Sequence, residues 1–229
     1  MKIRTVIILT LAAGLAYSCS AAMDGYLSYD YEDGPSISNN EEMTAIVTVK
    51  KAPTDTVFFQ LNDSTRLYPV NYQASYTRME RIVCSLNGTG AKNAKYGSHV
   101  FVNWADSIDE GVFTVETPEG EDNGMDIYDD WMTSVEDGYL TLHYSIPWGR
   151  TGIRHSFYVV GEPTPDGPYT LQLRHHANGD TAGAKDDALV CFDINSLPDT
   201  KGDYKTLTLK WTTCGGVAAE KKFKFKTRE

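Results

Sequence analysis

Tyr139-Leu140-Thr141-Leu142-His143-Tyr144-Ser145-Ile146 decides the fold class. Leu140, Leu142, Tyr144 and Ile146 recur at every second position, with Thr141, His143 and Ser145 between them. Side chains on a strand point alternately to opposite faces, so this run makes a strand with one dry and one wet face. A helix would need apolar positions three and four apart. The same period returns in Leu171/Leu173, Leu207/Leu209/Trp211 and Phe223/Phe225, each alternating with Thr, Gln, Arg or Lys. Strands dry on one side belong to antiparallel sandwiches, whereas buried parallel sheets carry continuous apolar runs. With Phe157–Val160 and Ala188–Ile194, residues 126–229 therefore read as an antiparallel β-sandwich of about six strands. Within them, Asp126–Ser134 sets Ile127 and Trp131 four apart, the spacing of one helical turn.

Upstream the texture is shorter. Thr44–Lys50, Thr56–Leu61, Arg66–Val70, Arg81–Leu86, His99–Trp104 and Val112–Glu116 are β-type pieces, with turn signals at Asn62-Asp63 and Asn87-Gly88. So many short strands without a sustained helical period predict a small closed or partly open barrel over residues 44–117. Residues 118–125 are rich in Glu, Asp and Gly, lack Val, Ile and Leu, and read as the inter-domain linker. Residues 19–43 are polar and Gly/Ser-containing, a tether. Tyr26, Tyr29 and Tyr31 give part of that tether the means to dock on a domain.

The N-terminus carries an address. Lys2 and Arg4 precede the apolar run Val6–Ala16, and small residues close on Cys19. The order is that of a secretory signal over residues 1–18, and the run falls short of the roughly 20 residues of a spanning helix. A cysteine at the cleavage point reads as a lipobox, making Cys19 the lipid-attachment residue. Tyr17 and an early Leu15 depart from the lipobox pattern, and cleavage after Ser18 or Ala22 by ordinary signal peptidase is the other reading.

The chain sets 31 Asp and Glu against 21 Lys and Arg, a net charge of −10. An acidic domain repels phosphate backbones and anionic headgroups, so no nucleic-acid partner is expected and membrane contact should come from the lipid. Apart from Cys19, the cysteines are Cys84, Cys191 and Cys214, with no CxxC or Cys/His zinc spacing. An oxidising compartment would permit one Cys191–Cys214 bridge, and Cys191 equally reads as a small buried hydrophobe, with free thiols favoured.

Several stretches carry a resemblance. These are the lipobox, Asp24-Gly25-Tyr26, Ala45-Ile46-Val47-Thr48-Val49, the strand pair from Phe58 to Val70, and Asp126-Ile127 with Trp131. Gly138–Leu142, Leu171–Asp180, Val190–Ile194 and Phe223–Lys226 follow in order. Together they resemble the NigD-like lipoproteins over nearly the whole chain, departing at Ser64 and Cys191. The resemblance implies an all-β protein with an N-terminal OB-like barrel and a C-terminal antiparallel β-sandwich. It also implies a lipid anchor in a Gram-negative envelope, with the outer membrane expected. The family is named from an operon associated with a bacteriocin, and it brings no catalytic, cofactor or metal residues.

Candidate chemistry is sparse. His175, His176 and Asp180 could be assembled into a metal or acid–base site, yet neighbours on a strand diverge. His175 falls with Leu171 and Leu173, His176 on the other side, and Asn178-Gly179-Asp180 is turn chemistry. Arg174 pairing with Asp180 or a nearby carboxylate would fix the strand end. The acidic run from Glu116 to Asp130 has carboxylates enough for Ca²⁺ but not EF-hand order. Ser156 and His155 diverge as neighbours, and G-x-S-x-G, H-E-x-x-H and P-loop patterns do not occur. Asp55-Thr56-Val57, Asp63-Ser64-Thr65, Asp106-Ser107-Ile108 and Asp180-Thr181-Ala182 resemble O-glycosylation sites of exported proteins. The expectation is no enzyme, no cofactor and no metal, with an envelope protein or a glycan as partner.

Overall fold

A computed structural model of the chain describes residues 27–30, 34–37, 42–74, 79–93, 97–161 and 167–228. Cys19, the signal at 1–18 and tether residues 20–26, 31–33 and 38–41 lie outside the described residues, while Glu42 and Met43 already belong to the first barrel strand. All regular elements among the described residues are strands. The tether is not wholly irregular, because β1 (Leu27–Asp30) and β2 (Gly34–Ile37) pair as an antiparallel hairpin, and β2 lies beside two barrel strands.

β3 (Glu42–Lys51), β4 (Val57–Gln60), β5 (Arg66–Pro69), β6 (Glu80–Asn93) and β7 (Gly97–Ser107) close into a barrel in the order β3-β4-β5-β7-β6. This is a five-stranded Greek-key closure, with β5 and β7 the parallel pair. Met43, Ala45, Val47 and Val49 face inward from β3 and meet Phe59, Leu67, Ile82, Cys84 and Leu86. β6 does not stop at Asn87-Gly88 but runs on to Asn93, absorbing the irregularity as register shifts against β7. The predicted Asn62 turn forms because the Asn62 Oδ1 accepts from the Ser64 and Thr65 N–H groups at 3.0 and 2.8 Å.

The second domain begins earlier than expected. β8 (Asp109–Glu110) and β9 (Val112–Thr114), assigned by sequence to the barrel that was to end at residue 117, belong to the sandwich instead. β8 pairs with β15 (Lys185–Asp193), and β9 pairs with β13 (Ser156–Gly161), while Phe113 packs on the sandwich core. Residues 118–125 are likewise no inter-domain linker. They cross the end of the sandwich, fixed by Asn123 N–H to the His175 carbonyl and Met125 N–H to the Thr212 carbonyl, with Met125 buried in the core.

The first sheet is ordered β10 (Asp126–Ile127), β12 (Tyr139–Pro147), β15, β8, with β11 (Ser134–Glu136) also on β12. The second is β17 (Ala218–Phe225), β16 (Lys205–Thr212), β14 (Thr170–His176), β13, β9. Residues 126–134 form no helical turn; strand pairing with β12 at both ends of the segment wins over the Ile127/Trp131 spacing. Leu140, Leu142, Val190 and Phe192 from one sheet pack on Val159, Leu171, Leu209 and Phe225 from the other. The pairing is mixed rather than wholly antiparallel. From β14 the chain crosses to β15 and back to β16, and two reversals leave β14 and β16 parallel.

Candidate functional site

Alternation along β3 and β6 sends one set of side chains into the barrel and the other onto its outer wall. Ile46, Thr48, Arg81 and Val83 point outward and meet the outer face of the first sheet at Tyr139, Thr141, Leu189 and Cys191. The face read as wet from sequence is thus dry where the barrel covers it, and Thr141 is fully buried. Arg81 is the largest fully buried side chain among the described residues. Its Nη1 donates to Thr48 Oγ1 at 2.9 Å and its Nε to Thr141 Oγ1 at 3.4 Å, so one guanidinium ties barrel to sandwich. Burial pulls its pKa down, opposed by the fields of Glu136 and Asp137.

Ions gather around this rivet. Lys50 Nζ meets Asp137 Oδ1 at 2.6 Å, and Arg228 Nε donates to the Asp137 carbonyl at 2.9 Å. Asp63, in the β4–β5 turn, accepts from the Asp137 N–H at 3.1 Å and from the Tyr204 hydroxyl at 2.8 Å. The turn expected at Asn62-Asp63 is therefore also a foot of the barrel on the sandwich. Burial pushes the Glu136 carboxyl up to about 7, with Asp63 adding to the effect and Arg81 opposing it.

Where the chain leaves β7, Ile108 to Val112 run along this seam and floor a cleft of about 530 Å³ with Glu80, Tyr139 and Arg154 in its walls. A hollow of about 230 Å³ continues it, lined by Tyr144, Trp148, His155 and Tyr158 among others. Val112 at the cleft and Ile153 beside Arg154 are large apolar side chains left in solvent. A concave site between domains, mixing aromatic, apolar and charged groups, is a usual place for binding. Cys191 also lines it, but burial raises its thiol to about 12, as it does that of Cys84, so neither is a nucleophile at neutral pH.

Behind the hollow lies a buried chain of polar groups. His175 Nδ1 donates to the Gly124 carbonyl at 2.9 Å, which leaves the Nε2 of a neutral ring to accept from His155 Nδ1 at 2.8 Å. His155 Nε2 then faces Asp180 Oδ2 at 3.4 Å. Burial lowers the His175 pKa, which suits the accepting role. Both ring nitrogens of His175 and the Nδ1 of His155 thus have hydrogen-bond partners, and the His155 Nε2 lies beside the Asp180 carboxylate. Gly124 takes φ +65°, and a Cβ there would lie 2.4 Å from the Thr213 carbonyl oxygen, so this carbonyl can be presented only by glycine.

The sequence candidates disperse. His175 and Asp180 both reach His155, whereas His176 lies on the opposite face, its ring 5.0 Å from Tyr158. Arg174 does not pair with Asp180; the carboxylate turns inward to His155. Ser156 Oγ accepts from Asn178 Nδ2 and faces away from His155. The acidic run is divided, with Asp126 on Lys185, Asp129 on Lys221 and Asp130 on His143. Among the described residues no group of three His, Cys, Asp or Glu could hold a metal ion. Cys84, Cys191 and Cys214 are unpaired. Thr56, Ser64, Ser107 and Thr181 of the four Asp-Ser/Thr tripeptides are exposed, although the Asp180 carboxylate before Thr181 is buried. Arg81, Asp137 and Arg154 were not singled out as a site by sequence, and His155 only as the neighbour of Ser156. An arginine preceding the apolar run Ile82-Val83-Cys84 was the one available signal for the seam.

A search for relatives agrees with this architecture. Residues 112–225 match the NigD-like C-terminal beta sandwich domain, and the C-terminal half of the chain belongs to that family. No curated protein matches. Three solved structures are similar. A candidate toxin-related protein from Parabacteroides distasonis ATCC 8503 shares 24% identity at a TM-score of 0.65, over 81% of this chain and 94% of that one. A NigD-like immunity protein from Bacteroides caccae ATCC 43185 shares 17% at 0.54, over 78% and 91%. A candidate lipoprotein from Bacteroides fragilis NCTC 9343 shares 13% at 0.54, over 82% and 100%. At these identities the likeness establishes the fold.

Proposed function

We propose that this chain, NigD-like in its C-terminal half, is a non-catalytic envelope lipoprotein that binds another protein at the junction cleft. The observation that carries the reading is the seam itself. Arg81, the Lys50–Asp137–Arg228 cluster and the Asp63 foot fix the two domains into one surface, and the cleft lies along its edge. A preorganised surface loses less freedom on association. The commitment of both His175 nitrogens, to the Gly124 carbonyl and to His155, inside the fold supports a structural role for this pair. The descriptions of the structural neighbours as an immunity protein, a toxin-related protein and a lipoprotein support an anchored binding role. Acylation of Cys19 would hold the chain in the outer membrane.

A photo-crosslinking residue in place of Val112, compared with one in place of Val217 on the far β16–β17 turn, tests the site in intact cells. Protein adducts from position 112 and none from 217 are expected; equal labelling overturns the reading. Mass measurement of the mature N-terminus should find an acylated Cys19. A small ligand on Tyr144, Trp148 and Tyr158 is the second reading, favoured if a sugar raises the melting temperature while Val112 yields no adduct.

A further inference from the structure

The outer face of the second sheet carries a pattern that the junction does not use. Register places Gln172 opposite Lys210, Thr170 opposite Thr208, Thr208 opposite Lys222, and Thr206 opposite Lys224, so all lie on one face. Arg174 is two residues beyond Gln172 on the same face. Plotted on the sheet, Arg174 on β14, Lys210 on β16, then Lys222 and Lys224 on β17 form one diagonal. With strands about 4.8 Å apart and about 3.4 Å per residue, successive cations are about 7–8 Å apart and the line is roughly 22 Å long. Thr170, Gln172, Thr206 and Thr208 flank it with hydroxyls and an amide.

Among the described residues one carboxylate, Glu220, shares the face; it stands opposite Lys210 in the register and reaches Lys222 at 4.0 Å. Among the described residues, Arg174, Lys210 and Lys224 have no carboxylate within ion-pair distance. The acidic loop bearing Glu119, Glu121 and Asp122 borders the Arg174 end, where Gly120 packs by His176. Lysines on an edge strand deter edge-to-edge pairing, which accounts for Lys222 and Lys224 on β17. It does not account for Lys210 and Arg174, which stand on interior strands. A cationic diagonal on a chain of net charge −10 is a local reversal of sign.

We propose that this diagonal binds an acidic polysaccharide, its carboxylates on the four cations and its hydroxyls on the flanking Thr and Gln side chains. A linear polyanion fits a line better than a globular partner does. The hydroxyls and amide of Thr170, Gln172, Thr206 and Thr208 beside the cations suit a hydroxyl-rich sugar chain better than a nucleic acid. The face also offers no row of rings on which bases could stack; Tyr158 beside it is engaged with His176. The proposal is independent of the junction cleft.

The test is binding of the full-length protein to polygalacturonate at low salt, with neutral dextran and a single-stranded DNA oligonucleotide alongside. Lys210→Glu/Lys224→Glu is compared with Lys51→Glu/Lys201→Glu, an equal charge change on exposed lysines elsewhere. Unchanged melting temperatures establish that both variants fold. Polygalacturonate should bind, weaken with salt, and lose about tenfold or more in affinity in the first variant while staying within about twofold in the second. No binding, equal loss in both variants, or tighter binding of the oligonucleotide overturns the proposal.

Discussion

The two outer faces of the sandwich are written in the same alternating code and meet opposite fates. On the first sheet, Thr141 and Ser145 of β12 are buried, the former under the barrel, and a guanidinium sits beside it with two hydroxyl partners. On the second, Lys210, Lys222 and Lys224 stand in solvent. Period two decides which side chains share a face. Whether that face stays wet depends on what another domain lays over it.

The comparison can be broken most forcefully at Arg81. Arg81→Ala leaves a cavity and two hydroxyls unsatisfied and should cost about 3–4 kcal/mol, with denaturation splitting into two transitions as the domains uncouple. Arg81→Met, which keeps volume and removes the buried charge, should recover much of that loss. Next in size is Asp137→Ala. It strips the partner from Lys50 and Arg228, and about 2–3 kcal/mol should appear in urea titrations.

Protonation sharpens the contrast further. Burial alone would lower the His143 pKa, but hydrogen bonds to Asp130 at 2.6 Å and Asp187 at 3.2 Å outweigh it and the pKa is raised. A raised pKa means that the stabilisation is full below about 6.5 and is lost as pH climbs through the folded value. Melting curves of His143→Gln should therefore lie below the parent by about 1 kcal/mol at pH 5.5 and converge with it in alkali. Glu136, raised from 4.5 to about 7, also favours the folded state when protonated, an advantage present below 4.5 and gone above 7. Glu136→Gln should stabilise by on the order of 0.5–1 kcal/mol at pH 8 and not at pH 4. Smallest of all, Lys222→Ala on the open face should move stability by less than about 0.5 kcal/mol.

The class of fold was legible because Leu140/Leu142/Tyr144 and Leu207/Leu209/Trp211 report strand period directly. Placement of Val112–Thr114 was not, since a three-residue strand reads alike in barrel or sandwich and its parallel partner lies far along the chain. The Ile127/Trp131 spacing misled because a short segment pinned at both ends to β12 has no freedom to coil. The divergence of His175 from His176 followed from the pleat, but His155 as partner of His175 did not. It lies one residue before β13, and the register that brings β13 against β14 is not written in either sequence. The cationic diagonal was hidden for the same reason: Arg174, Lys210 and Lys222 align only once three strands are laid side by side.

The crossing at residues 109–114 has a mechanical side. Asp109–Glu110 is stitched into one sheet and Val112–Thr114 into the other, with Gly111 the hinge between them. Tension applied from the N-terminal end reaches the sandwich through this crossing, so the covalent path delivers it to both layers together instead of peeling one from the other.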